Sequence, residues 1–181
     1  MTRLPIVKIA ACHASPIFLN ADKTTEKALR LIGEAAAQGA NLVVFPESYI
    51  PGFPLFASTG APVDNEGCFT RFVEQSIYAD GSEIAALQAK AAETKVVISI
   101  GFSERSRRSV GCVWNSNVVI GEDGSILAHH RKMCATYWVS WNELRFVTLS
   151  NLAKRRSWYG ATETVKVFAC ATRNRPEELA P

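Results

Sequence analysis

The stretch Leu42-Val43-Val44-Phe45-Pro46-Glu47-Ser48-Tyr49-Ile50-Pro51-Gly52-Phe53-Pro54 decides the fold. Its apolar run, Leu42 to Phe45, stops at a proline, and the next residue is a lone carboxylate. A turn made of proline, glycine and aromatics follows. This order predicts a buried strand that hands one acid to the rim of a sheet, inside a largely apolar pocket. Desolvation there disfavours the charged carboxylate, so the pKa of Glu47 is expected to rise toward a value useful for a general base. The alternative is a surface turn whose glutamate meets only water.

Upstream, Ile6 to Ala11 reads as a strand that ends at Cys12-His13-Ala14-Ser15-Pro16. Cys12 and His13 are adjacent and point to opposite faces, so Cys12 is read as a small core residue and not as half of a catalytic pair. Residues 22–38 predict a helix, with Ala28, Leu31, Ile32, Ala35 and Ala36 on one face and Gly39 as its stop. Strand, helix and strand with short joints imply a parallel pair. Glu47 then sits at the carboxyl end of its strand, where open α/β sheets place their sites.

Downstream, Pro51 to Glu66 reads as a pocket-lining loop. Phe53, Phe56, Phe69 and Phe72 either shape an apolar cleft or fill the core. A helix begins near Ser82, read as its N-cap, with Ile84, Leu87 and Ala91 inward. Lys95 to Ile100 is a buried strand closed by Gly101, and Glu104 to Ser109 a charged turn. Val113 to Ile120 and Ser125 to His129 form a hairpin around Gly121-Glu122-Asp123-Gly124, which delivers Lys132 just past its end. His129 and His130 are taken as structural.

The segment F-P-E-S-Y-I-P-G-F-P, together with His130-Arg131-Lys132, resembles the nitrilase branch of the carbon-nitrogen hydrolases. The resemblance implies an α/β fold, the amino-terminal part of an α-β-β-α sandwich. It implies a Glu-Lys-Cys triad with Glu47 as general base and Lys132 stabilising charge in a tetrahedral intermediate. Asn115 resembles an asparagine of the family at this point. The implied activity is cofactor-free hydrolysis of a nitrile to a carboxylic acid and ammonia, in a homo-oligomer.

The resemblance breaks at Val139. Neither the family's second glutamate, in a segment like E-K-L-x-W-G-x-G-x-G, nor its nucleophilic cysteine in a C-x-E-N-like context follows. Cys134 lies too close to Lys132, and Cys170 lacks the family's flanking residues. Arg155 to Thr164 can be encoded AGG AGA AGC TGG TAT GGG GCA ACG GAA ACG, and from the third base this string reads E-K-L-V-W-G-N-G-N. Val139-Ser140 permits GTGAGT, an intron start. Residues 1–138 are therefore read as the amino-terminal part of the hydrolase domain. Residues 139–181 are read as a divergent tail, opened by a retained intron of about residues 139–154 and continued out of frame. Without a thiolate the chain is expected to be inactive.

Composition sets the remaining bounds. A chain of 181 residues suffices for one domain that buries roughly 70% of its unfolded surface. Five scattered cysteines without C-x-x-C spacing, and three histidines, argue against a disulfide framework or a metal site. No stretch is long and apolar enough for a membrane span, which points to the cytosol. Residues 131–181 carry nine Lys/Arg against four Asp/Glu, so the net charge of +3 is concentrated in the tail. A nucleic-acid module would rest on that tail alone, and no recognition motif supports it. The alternative to a hydrolase is a non-catalytic subunit that joins full-length homologues. Sequencing the transcript from the Trp138 codon to the Arg155 codon is expected to show an unspliced intron; an open frame that spells no E-K-L segment overturns the tail reading.

Overall fold

The computed structural model describes residues 7–133. Its centre is a five-stranded sheet in chain order: β1 (Ile9–Ala11), β2 (Leu42–Val44), β3 (Val97–Arg105), β4 (Val113–Ile120) and β5 (Ile126–Arg131). The first three strands run parallel, and β3–β4 and β4–β5 are antiparallel. Three helices join them: α1 (Ala21–Ala37), α2 (Glu66–Gln75) and α3 (Ser82–Thr94). The expected α/β class is the observed one.

Helix α1 starts where the Asn20 side chain accepts a hydrogen bond from the Lys23 backbone N–H, at 2.9 Å. It ends where Gly39, at φ +80°, turns the chain toward β2. Ala28, Ile32 and Ala35 are buried as the periodicity predicts, against Val43, Ile98, Ile100, Val118 and Ile120 of the sheet. Ile84, Leu87 and Ala91 of α3 join the same core, and α1 and α3 pack on each other. Both helices thus cover one face of the sheet. The other face, with Ile9, Leu42, Val44, Val97 and Val119, stays half-buried.

Several elements differ from expectation. Ser82 is the first helical residue and not the cap: Gly81 occupies the cap position, and the Ser82 hydroxyl donates to the Glu83 carboxylate. The expected loop from Pro51 onward contains two 3-10 turns, Leu55–Ser58 and Pro62–Asn65, and leads into α2. Phe56, Phe69 and Phe72 pack edge-on with centroids 4.8 and 5.9 Å apart, in a small second core with Leu19 and Val113. For these three the core-filling alternative holds. Strand β3 runs on through Gly101 to Arg105, so Glu104 lies in a strand and is buried. Strand β5 begins and ends later than expected and is exposed along its length.

The missing side chain at Gly101 has a positional reason. A Cβ there would lie 2.5 Å from Glu47 Cα and from the Pro46 carbonyl oxygen. The backbone that follows β2 crosses β3 at this point, and only a glycine lets it pass. Gly101→Ala is expected to lower stability by about 1–3 kcal/mol through this overlap. Urea denaturation would detect the loss, and an unchanged midpoint would refute the close approach.

Candidate active site

Between Val44, opposite Ser99, and Ile50, opposite Phe102, one chain takes six steps while its neighbour takes three. The three surplus residues arch off the sheet. Phe45 N–H still donates to Ser99 O at 2.8 Å, and the ladder resumes where Ser103 N–H donates to Ile50 O at 2.7 Å. Glu47 stands at the top of this arch, and Ser48 closes it, buried and at φ +49°. A non-glycine residue in that region is uncommon and costs backbone energy. Tyr49 and Ile50 then turn inward and are fully buried, anchoring the arch.

Two side chains from the hairpin converge on Glu47. Asn115 Nδ2 and Lys132 Nζ each donate to Glu47 Oε2 at 3.0 Å. Asn115 sits on β4, and the Lys132 backbone N–H donates to Asn115 O at 2.7 Å, one pair beyond β5. The sequence-predicted Glu47 and Lys132 are therefore brought together across 85 positions of chain.

The electrostatics reverse one expectation. The Lys132 ammonium donating to Glu47 holds its carboxyl below the ordinary glutamate value, with Asn115 adding to the effect; desolvation works against them and loses. The pocket is not the closed apolar one expected, because the Glu47 side chain is 56% exposed and that of Lys132 39%. The apolar flanks of Glu47 instead serve to anchor the arch.

Cys12 is half-buried against the main core, where desolvation pushes its thiol up to about 11. Burial likewise raises Cys112, so neither thiol is primed as a nucleophile. Cys134, Cys170 and the divergent tail lie outside the described residues. Among the described residues no cluster of His, Cys, Asp and Glu could hold a metal ion, and no helix is long and apolar enough to cross a membrane.

A second carboxylate, Glu104, escaped the sequence reading. It is buried on the helix-bearing face, where it accepts hydrogen bonds from Ser116 Oγ (2.6 Å), Arg131 Nη2 (2.6 Å) and Arg131 Nε (3.1 Å), and meets His129 Nε2 at 2.8 Å. Desolvation alone would raise its pKa, but the bonds from Arg131, Ser116 and His129 outweigh it and hold the carboxyl below the usual range. The signal available in sequence was the alternation of β3, had the strand been carried past Gly101.

Residues 8–171 match the family described as carbon-nitrogen hydrolase. The chain belongs to that family. Its curated relatives place it on the nitrilase branch. An arylacetonitrilase of Hypocrea virens is 41% identical over 132 residues, covering 73% of this chain and 39% of the relative. A bromoxynil-specific nitrilase of Klebsiella pneumoniae subsp. ozaenae is 36% identical, covering 71% and 36%. An aliphatic nitrilase of Rhodococcus rhodochrous is 34% identical, covering 72% and 35%. The chain thus spans under two fifths of the length of these relatives.

Among solved structures, the fold is similar to that of the NitFhit protein of C. elegans (TM-score 0.54, 16% identity, 72% of this chain and 30% of that one). It is also similar to that of a variant of an amidase from Nesterenkonia sp. AN1 (TM-score 0.54, 15% identity, 72% and 44%). The carbon-nitrogen hydrolase fold is shared at low sequence identity.

The pH dependence of the Glu47 contact follows from its depressed pKa. Its stabilising contribution is present above the unfolded value of about 4.3 and is lost as pH falls through the lower folded value. A carbon-detected NMR titration is expected to place the Glu47 midpoint below that of an ordinary glutamate, and Lys132→Met to move it upward. A midpoint unchanged by Lys132→Met would refute the pairing.

Proposed function

We propose that Glu47 and Lys132 are the base and the charge-stabilising cation of a nitrile-hydrolysing site. The observation that carries this reading is the convergence of Lys132 and Asn115 on one oxygen of Glu47, both at 3.0 Å. Family membership and the printed activities of the nitrilase relatives support it.

In this reading Glu47 takes the proton of a thiol, and the thiolate adds to the nitrile carbon. Lys132 then hydrogen-bonds the nitrogen, on which negative charge develops. Glu47 delivers the proton to that nitrogen, giving a thioimidate. Addition of one water expels ammonia and leaves an acyl thioester, and a second water releases the acid and restores the thiol. Asn115 holds the carboxylate in place throughout. Nothing in the sequence calls for a cofactor.

The described residues hold three cysteines, Cys12, Cys68 and Cys112; Cys12 and Cys68 pack against the two cores, and we assign none of the three as the nucleophile. We infer that this polypeptide alone does not turn over, and that residues 139–181 are a tail foreign to the hydrolase domain of residues 1–138. The curated relatives align over about 132 residues, which is compatible with that boundary, while the family match continues to residue 171. The cytosol remains the proposed compartment. A second reading, a non-catalytic subunit of a larger hydrolase assembly, is favoured by the exposure of β5, the last strand of the sheet among the described residues. Co-purification with an active full-length homologue would support it, and a strict monomer would count against it.

The test measures ammonia released from aliphatic and arylaceto-nitriles by the purified chain, beside a version with the reading frame restored after Trp138. The chain itself is expected to release none. The restored version is expected to be active and to lose about 10²–10⁴-fold with Glu47→Gln. Ammonia release by the chain itself would overturn its inactivity, and a restored enzyme indifferent to Glu47→Gln would overturn the assignment of the base.

A further inference from the structure

The four residues His129-His130-Arg131-Lys132 all bear side chains that carry or can carry positive charge, and they alternate between the two faces of the sheet. Which pair faces Glu47 is a matter of register alone. Strand β5 is exposed throughout, so apolar burial gives that register little support.

The register is also not the simplest one. Beyond the turn, Ile120 pairs with Ile126, but Val119 pairs with Ala128, so Leu127 is an extra residue in β5. This bulge leaves Leu127 62% exposed. Continued without it, the Ile120–Ile126 pairing would set Arg131 opposite Asn115 and turn Lys132 to the helix-bearing face. With it, Arg131 pairs with Ser116, and Lys132 extends the ladder opposite Asn115. One extra residue therefore decides whether an arginine or a lysine meets Glu47.

Glu104 favours the bulged register. Its two carboxylate oxygens receive Arg131 in a fork, 2.6 Å to Oε1 and 3.1 Å to Oε2, while Ser116 and His129 fill the rest of its capacity. The Arg131 guanidinium stacks over the Trp114 ring at 4.1 Å, and the His129 ring stacks on Phe102 at 6.1 Å. A lysine has neither the planar fork nor the stacking surface that this position uses. Slipped by one, β5 would offer Glu104 His130 and Lys132 in place of His129 and Arg131.

We propose that Glu104, through its fork with Arg131, is the positioning residue that locks the bulged register of β5 and thereby delivers Lys132 to Glu47. The proposal deepens the active-site reading and rests on it for its functional meaning. Its geometry can be tested without turnover.

The experiment couples carboxylates to amines in direct contact, using a water-soluble carbodiimide on the full chain, and locates the new amide by peptide fragmentation. The wild-type chain is expected to yield a Glu47–Lys132 amide. The Lys90–Glu93 pair on α3, at 3.0 Å, serves as an internal control of folding. Glu104→Gln is expected to lower the Glu47–Lys132 yield about tenfold, the register preference carried by a charged, forked hydrogen bond, while the control pair couples as before.

Arg131→Lys keeps the charge beside Glu104 and so protects against simple unfolding. In it, part of the Glu47 coupling is expected to move from Lys132 to the amine introduced at position 131. A merely structural role for Glu104 cannot produce that transfer. Wild-type yield at Lys132 in both variants, with no coupling at position 131, would overturn the register lock. That outcome would leave the roles of Glu47 and Lys132 to the ammonia assay, so the two readings fail separately.

Discussion

The chain between Phe45 and Ile50 holds three residues more than the parallel ladder beside it can use, and it passes over β3 only where β3 has no side chain. Every feature of the site depends on that crossing. The arch lifts Glu47 off the sheet, on the face away from α1 and α3, while Phe45, Tyr49 and Ile50 on either side stay buried. Apolar burial at both feet fixes the height and direction of a carboxylate that is itself half in solvent. The acid is thus held by its neighbours and not by its own burial, which is why an open site can still be a preorganised one.

The two glutamates that the β4–β5 hairpin contacts, Glu47 and Glu104, show the same side chain under opposite conditions. Glu104 is withdrawn from water and would be costly as an anion without partners; Arg131, Ser116 and His129 supply them. Glu47 keeps contact with water and is depressed chiefly by one ammonium. Adjacent residues of one strand end, Arg131 and Lys132, serve the two carboxylates on opposite faces. The strong, forked and stacked pair lies on the side that has no chemistry to perform. The lysine, whose three donors can rotate, lies on the side where, in the proposed reaction, a hydrogen bond passes from a carboxylate to a reacting atom.

What the sequence revealed follows how local each feature is. Helix α1, with its stop at Gly39, and strand β4 were legible because a single face or an alternation specified each within a few residues, whereas the Asn20 cap was found only in the structure. Glu47 and Lys132 were legible as motifs, though 85 positions apart. Helix α2 was obscured by the proline- and glycine-containing segment before it and by its single fully buried residue, Phe72. The reading of β3 failed at Gly101 because glycine is a local terminator in most strands, whereas here its role is set by a chain segment more than fifty positions upstream. Glu104 was lost with that truncation. The bulge at Leu127 has no local signature, since only the pairing of β5 with Val119 and Ile120 reveals it. The expected rise in the pKa of Glu47 failed for a related reason: the apolar residues around it face inward and anchor the arch, so they desolvate the core and not the carboxylate.

A carboxylate already paired with an ammonium is a weak base, and the described site leaves Glu47 in that condition. Solvent reaches both side chains and screens their attraction, so the pair contributes little to stability and is easily exchanged for other partners. Enclosure would change the balance. Removing water raises the cost of the Glu47 anion, and a substrate nitrogen that draws a hydrogen bond from Lys132 removes the main influence that depresses its pKa. In the proposed reaction both changes would increase the proton affinity of Glu47 at the step in which a thiol gives up its proton. The arch and the register of β5 therefore set the geometry, while the strength of the base depends on whatever encloses the site.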